Sequence, residues 1–265
     1  RAKEMKAEGK DFKPIFGIEA YYIESIDEWR VMKAEMSADK KRAKQIDTSK
    51  SAMVIEDEQR NDKRTLSQKR HLVLLAQNQK GLENIYEMVS KSYTGDYFYR
   101  KPRIDWAMLK KHSEGVIVLT ACLGGIGAAC MWENQEAGED VIVKRMADSF
   151  GNPAFVSVEK WNNIPEQHLL NRCLIKVAKQ LELKLVSTCD SHYPRPDAWK
   201  DREVYKRLGW LGKMPEWMDE NIPSSVDEIG YELYPKNAHE MWESYKRYSN
   251  DLNIDYDDDL VLESI

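Results

Sequence analysis

A mixed α/β fold with a mainly parallel sheet, either open or closed into a barrel, is the architecture this sequence predicts. Three observations lead to it. Short apolar, β-branched runs alternate with segments whose apolar residues recur at helical spacing. The chain has 265 residues, enough for one large domain or two ordinary ones with a substantial core. Residues able to bind metal or move protons fall late in the strands or just past them, where α/β folds place their chemistry.

In chain order, residues 1–10 read as the last turns of a helix closed by Gly9. Residues 13–22 alternate as a strand, with Glu19 on the face of Gly17 and Tyr21. From Glu24 to Arg70 the composition turns to dense charge of mixed sign, including Lys40-Lys41-Arg42 and Glu56-Asp57-Glu58. Such a stretch predicts a solvated insertion, partly helical and partly mobile. His71-Leu72-Val73-Leu74-Leu75-Ala76 restores a buried strand, and a helix over 81–92 comes next with Leu82, Ile85, Tyr86 and Val89 on one stripe. Residues 97–103 form a basic, aromatic loop, and 106–111 a short helix. Residues 116–120 are the next strand, running into the glycine turn Cys122-Leu123-Gly124-Gly125. A helix over 140–150, a strand over 154–158 and a loop over 161–167 precede a helix over 167–181 that carries Leu170, Cys173, Leu174, Val177, Ala178 and Leu181 on one face. After Trp199 the pattern is helical, 215–223 reads as a connection, and Asn237 caps a last helix bearing Met241, Tyr245 and Tyr248.

A formal net charge of −5 with 32% charged residues excludes a generally basic coat for nucleic acid and leaves room for a local basic groove. Cys122, Cys130, Cys173 and Cys189 form no C-x-x-C pair, which predicts a reduced, cytoplasmic setting. No apolar run approaches the roughly 20 residues that span a bilayer. The start, Arg1-Ala2-Lys3-Glu4-Met5, resembles neither a signal peptide nor an initiation site, so a piece of something longer is expected.

The stretch Val186-Ser187-Thr188-Cys189-Asp190-Ser191-His192-Tyr193 is the strongest candidate site. On a continued strand, Asp190 and His192 point together while Cys189 points away. Carboxylate oxygen with imidazole nitrogen is a suitable half-site for Zn²⁺, Mn²⁺ or Fe²⁺. The plainer alternative is that Asp190 caps the next turn and His192 is a solvated loop residue. Glu19 and Cys122 also lie late in their strands; His71 stands at the beginning of its own, so either that boundary differs or the segment runs the other way. Arg100, Lys101 and Arg103, interleaved with Tyr97 and Tyr99, suit contacts to a nucleic-acid backbone and stacking on a base, or else form an ordinary solvated turn. His112, His168 and His239 read as surface residues, and Cys130, Cys173 and Cys189 as packing.

Six stretches occur in one order: 13–21, 71–76, Tyr97-Phe98-Tyr99-Arg100-Lys101-Pro102-Arg103 with Ile104-Asp105, 113–125, Ile164-Pro165-Glu166-Gln167, and Asp190-Ser191-His192-Tyr193. In this order they resemble the PHP (polymerase and histidinol phosphatase) domain at the amino end of bacterial DNA polymerase III alpha subunits. Glu232-Leu233-Tyr234-Pro235-Lys236 resembles the segment C-terminal to that domain in these polymerases. The resemblance implies a distorted (β/α)7 barrel over 1–205, incomplete at its N-terminus, with the charged insertion at 24–70 and a helical extension over 206–265. It implies up to three divalent ions (Zn²⁺, Mn²⁺ or Fe²⁺) held by Glu19, His71, Cys122, Asp190 and His192, with Asp190 and His192 at the reaction centre. The implied activity is phosphoester hydrolysis, most specifically 3′→5′ proofreading, inside a DNA-directed DNA polymerase that uses Mg²⁺. The implied partners are DNA, other replisome subunits and the remainder of the polymerase chain, with no membrane. The other implied role is a structural module that binds a partner exonuclease. The family's opening His-x-His strand has no counterpart here, and Asp201 sits near a position that is often His.

Overall fold

The computed structural model describes residues 1–46, 65–150, 156–159, 165–210, 222–225, 228, 232–251 and 256–265. Most of the expected connection at 215–223, most of the loop at 161–167 and the middle of the charged insertion lie outside these residues. The chain divides into two compact units, Arg1–Val118 and Leu119–Ile265.

In the first unit α1 (Ala2–Ala7) precedes β1 (Gly17–Ile23) and α2 (Ile26–Ile46). Then come β2 (Arg70–Ala76), α3 (Gln79–Ser92), β3 (Phe98–Tyr99), β4 (Lys101–Pro102), β5 (Ile104–Asp105), α4 (Trp106–Lys111) and β6 (Val116–Leu119). Four strands make one mixed sheet in the order β5-β1-β2-β6. The expected parallel relation fails at its centre, where β1 and β2 are antiparallel with Tyr22 opposite Arg70 and Tyr21 opposite His71. This pairing makes the charged insertion an excursion between two hydrogen-bonded neighbours. Closing a long loop there costs little more than closing a short one, because the entropy grows only with the logarithm of length. Nor is the base of the insertion a purely solvated stretch: Ile26 and Trp29 of α2 are buried with Ile23 and Leu66, and Met32, Met36, Tyr97 and Tyr99 pack against them.

The buried stripe of α3 is Gly81, Asn84, Ile85, Met88 and Ser92, whereas Tyr86, expected inside, is exposed. The helix is rolled because its first turn is pinned to the turn before β6. Asn78 caps it by accepting from the Gly81 N–H at 2.9 Å, Gln77 N–H donates to the Gly115 carbonyl at 2.9 Å, and the Asn84 amide donates to the Glu114 carbonyl at 2.7 Å.

His112, expected at the surface, is 8% exposed. Its Nε2 lies 2.9 Å from Lys91 Nζ, and since an ammonium only donates, the imidazole accepts and is neutral. Burial first, then the Lys91 and Lys111 charges, hold its pKa below the ordinary 6.5. A histidine depressed in the folded state contributes stability that is complete above pH 6.5 and is lost as pH falls through the folded value. The thermal midpoint is therefore expected to drop between about pH 7.5 and about pH 5.5, and His112→Gln to reduce that drop. Equal pH dependence in the two proteins would refute this assignment.

The second unit holds α5 (Ile126–Glu133), α6 (Glu139–Phe150), β7 (Val156–Glu159), α7 (Pro165–Gln180), β8 (Leu185–Thr188), α8 (Trp199–Gly209), α9 (Ala238–Asp251) and α10 (Asp258–Ser264). β7 and β8 are parallel, with Val156 opposite Leu185 and Glu159 opposite Thr188. Here the expected βα alternation holds. The α7 stripe is buried as its spacing requires: Leu170, Cys173, Leu174, Val177 and Ala178 pack with Met131, Ile142 and Met146, and Leu181 covers the end. Burial pushes the Cys173 thiol up to about 11, so it serves as a packing group. His168, expected at the surface, is buried, its Nδ1 lying 2.9 Å from the Tyr256 hydroxyl, because α10 and the chain before it cover that face of α7. His239 is exposed as expected.

Candidate metal centre

Antiparallel pairing solves the misfit of His71. Glu19 faces Val73 and Tyr21 faces His71, so Glu19 and His71 are diagonal neighbours on one face of the sheet. His71 Nδ1 lies 2.9 Å from Glu19 Oε1. An ionised carboxylate can only accept, so His71 Nδ1 is the donor in this pair. A carboxylate that fixes the tautomer of a histidine in this way is the usual support behind a metal-bound imidazole.

In the second unit β8 ends at Thr188, so strand alternation does not bring Asp190 and His192 together as the sequence predicted. A turn does it instead. Asp190 adopts a left-handed backbone with φ 45°, a conformation that aspartate tolerates better than most residues. His192 Nδ1 then lies 2.7 Å from the Asp190 carbonyl oxygen and 3.7 Å from its Oδ1. The carbonyl also only accepts, so Nδ1 of this ring is a donor too.

Sequence reasoning missed what holds this turn. His192 and Tyr193 N–H both donate to the Leu233 carbonyl, at 2.7 and 3.2 Å, and Leu233 N–H donates to the buried Tyr193 hydroxyl at 2.8 Å. Glu232 beside it accepts from Arg247 at 2.6 Å and lies 3.5 Å from Lys236. Burial lowers the Lys236 pKa, opposed by the Glu232 charge. The only sequence signal was the family-like run at 232–236; nothing in its spacing announced a clamp on a turn forty residues earlier.

Cys122 comes after β6 in a turn where Ala121 is left-handed, with φ 60°. Gly124 N–H donates to its sulfur at 3.4 Å, and Gly125 N–H to its carbonyl at 2.7 Å. The structure thus pairs Glu19 with His71 in one unit and Asp190 with His192 in the other. Cys122 is held in its own turn. Among the described residues no three His, Cys, Asp or Glu side chains come together as a ligand set.

The basic loop departs from its expected role at one position. Arg103 is 1% exposed, donating to the Asp96, Tyr97 and Leu66 carbonyls at 2.7, 3.3 and 3.4 Å, and its guanidinium lies 4.2 Å from the Trp29 ring. Its donors are spent inside the protein, since a buried guanidinium must satisfy them there. Tyr97 and Tyr99 also turn inward, against the Trp29 cluster. Arg100 and Lys101 remain at the surface.

The pattern of the PHP domain family matches residues 2–159. The chain belongs to the PHP domain family. Glu19, His71 and Cys122 lie within the matched part of this PHP chain, and Asp190 and His192 beyond it. Among curated relatives, the DNA polymerase III subunit alpha of Aquifex aeolicus is 34% identical over 229 residues, covering 86% of this chain and 17% of the relative. Its namesake from Borreliella burgdorferi is 29% identical over 245 residues, covering 92% and 18%. That from Deinococcus radiodurans is 28% identical over 236 residues, covering 89% and 15%. The chain therefore spans about a sixth of the length of these relatives, the largest of these three shares being 18%.

PHP domains are generally metal-dependent, and the donor chemistry here fits a divalent ion. Both histidines have Nδ1 engaged by a fixed acceptor.

Proposed function

We propose that this chain is the PHP region of a DNA polymerase III alpha subunit and serves DNA replication as a metal-dependent phosphoesterase, removing mispaired nucleotides in the 3′→5′ direction. On this reading residues 1–205 contribute the strands of a distorted (β/α)7 barrel, with the insertion at 24–70, and 206–265 lead toward the remainder of the polymerase. The observation that carries it is the matched arrangement of His71 and His192, each donating from Nδ1 to an oxygen, as metal-bound imidazoles commonly do. Glu19, His71, Cys122, Asp190 and His192 would hold Zn²⁺, Mn²⁺ or Fe²⁺. Such an ion, when bound, polarises a phosphate oxygen and makes a coordinated water acidic. The chain's own part is to orient the imidazoles, through Glu19 and through the clamped turn at Leu233, and to supply the Asp190 carboxylate. DNA, other replisome subunits and the rest of the polymerase are the partners, and Mg²⁺ serves nucleotide addition elsewhere in the parent chain. Among the described residues no helix is long and apolar enough to cross a membrane.

Asp190→Asn in the full-length protein is expected to bring Mn²⁺-stimulated 3′→5′ exonuclease activity to background while nucleotide addition continues. Undiminished exonuclease activity would reject the hydrolytic reading. It would favour the second one, a structural module that braces the polymerase and binds a partner exonuclease.

A further inference from the structure

Tyr93, at the end of α3, is 62% exposed, and Phe98, at the start of β3, is 45% exposed. Their rings stack, with centroids 5.9 Å apart and planes 24° from parallel. Two large aromatic rings held face to face in solvent lose little water from their outer faces and keep those faces presented. Phe98 belongs to the β3–β4 hairpin, opposite Pro102, while Tyr99 opposite Lys101 packs inward against Trp29. Arg100 forms the hairpin tip in a left-handed conformation, φ 61°, where glycine or asparagine would sit with less strain.

The charges around the rings are unbalanced. Asp96 is neutralised by Arg30 at 2.9 Å and Lys33 at 3.4 Å, and Glu87 by Lys91 at 3.4 Å. Arg100 and Lys101 are exposed and make no ion pair among the described residues. A flat π-surface bordered by two uncompensated cations suits a ligand with a planar face and flanking negative charge.

We propose that Tyr93 and Phe98 form a stacking platform for a base of single-stranded nucleic acid, with Arg100 and Lys101 contacting the adjacent phosphates. Base faces are open in a single strand and closed in a duplex, so the platform selects the former. This inference deepens the DNA-processing reading above and rests on it only for the choice of DNA over RNA. It moves the stacking role from the inward Tyr97 and Tyr99 to residues that the sequence pattern did not single out.

The test is fluorescence anisotropy of the 265-residue chain with a labelled oligothymidylate of about 15 nucleotides, at about 50 to 200 mM salt. Chelator is present throughout, so that loss of metal chemistry cannot imitate loss of stacking. Phe98→Leu and Tyr93→Leu keep apolar bulk but remove the flat face, and each is expected to weaken binding about tenfold with the salt slope unchanged. Phe98→Trp is expected to retain binding. Arg100→Ser with Lys101→Ser is expected to lower the logarithmic salt slope by about 1.4. The substituted side chains are exposed, and circular dichroism confirms that each variant is folded. No binding by the unaltered chain at low salt overturns the proposal, as do leucine variants that bind normally or a duplex bound as tightly as the single strand. Self-association that depends on Phe98, without strand binding, would overturn it in favour of a protein partner.

Discussion

Arg103→Ala is expected to lower the thermal midpoint by roughly 10 °C, a loss on the order of 3 kcal/mol. The guanidinium serves three backbone carbonyls, those of Asp96, Tyr97 and Leu66, and lies over Trp29 and Tyr99 at 4.2 and 5.5 Å. Alanine strands the Asp96 carbonyl in a closed site, takes one of two donors from the Tyr97 and Leu66 carbonyls, which keep the Arg103 N–H and the Trp29 indole N–H, and leaves a void beside the indole. The contact also joins the loop at 96–97 to Leu66, at the returning end of the charged insertion, so its loss loosens both. Arg103→Lys is expected to recover little, because an ammonium has no planar fork to reach three acceptors and no flat face for the ring. A midpoint within about 2 °C of the unaltered chain would show that water satisfies the carbonyls and would reject the structural role assigned to Arg103.

Gly81→Ala is expected to destabilise the chain by more than about 3 kcal/mol, although alanine in a helix normally gains up to about 1 kcal/mol over glycine. A Cβ at Gly81 would run into the Gly115 carbonyl, a backbone atom that cannot swing aside. Accommodating it separates α3 from the turn before β6. That breaks the Gln77–Gly115 bond and disturbs the Asn84–Glu114 bond, at 2.9 and 2.7 Å. Gly115 cannot yield easily, since it is itself left-handed at φ 71°. Denaturant midpoints for Gly81→Ala, with Lys80→Ala as the exposed neighbour in the same helix, decide the matter. A stabilising Gly81→Ala would mean that the close approach is not maintained in solution.

The candidate site was legible as residue types more than as geometry. Asp190 and His192 stand out by a two-residue spacing, yet a left-handed turn brings them together where alternation was expected. The spacing is the same for both, so sequence could not separate them. His71 looked misplaced only because a strand's direction is set by its partner, and Tyr21 opposite His71 supplies that partner. Arg103 and His168 read as surface groups because charged and polar residues usually are. Their burial depends on Leu66 and Tyr256, which lie far from them in sequence.

By itself the sequence determined the alternation of strands and helices in the second unit, the apolar stripe of α7, and the residues worth testing as ligands. These arise from local periodicity and side-chain chemistry, which neighbours in the chain suffice to express. Only the tertiary structure decided that β1 and β2 run antiparallel, that Leu233 clamps the Asp190–His192 turn, and which members of the basic loop face water. Each of those rests on hydrogen bonds or burial between residues distant in sequence, and such partners are chosen by packing, which no local pattern encodes.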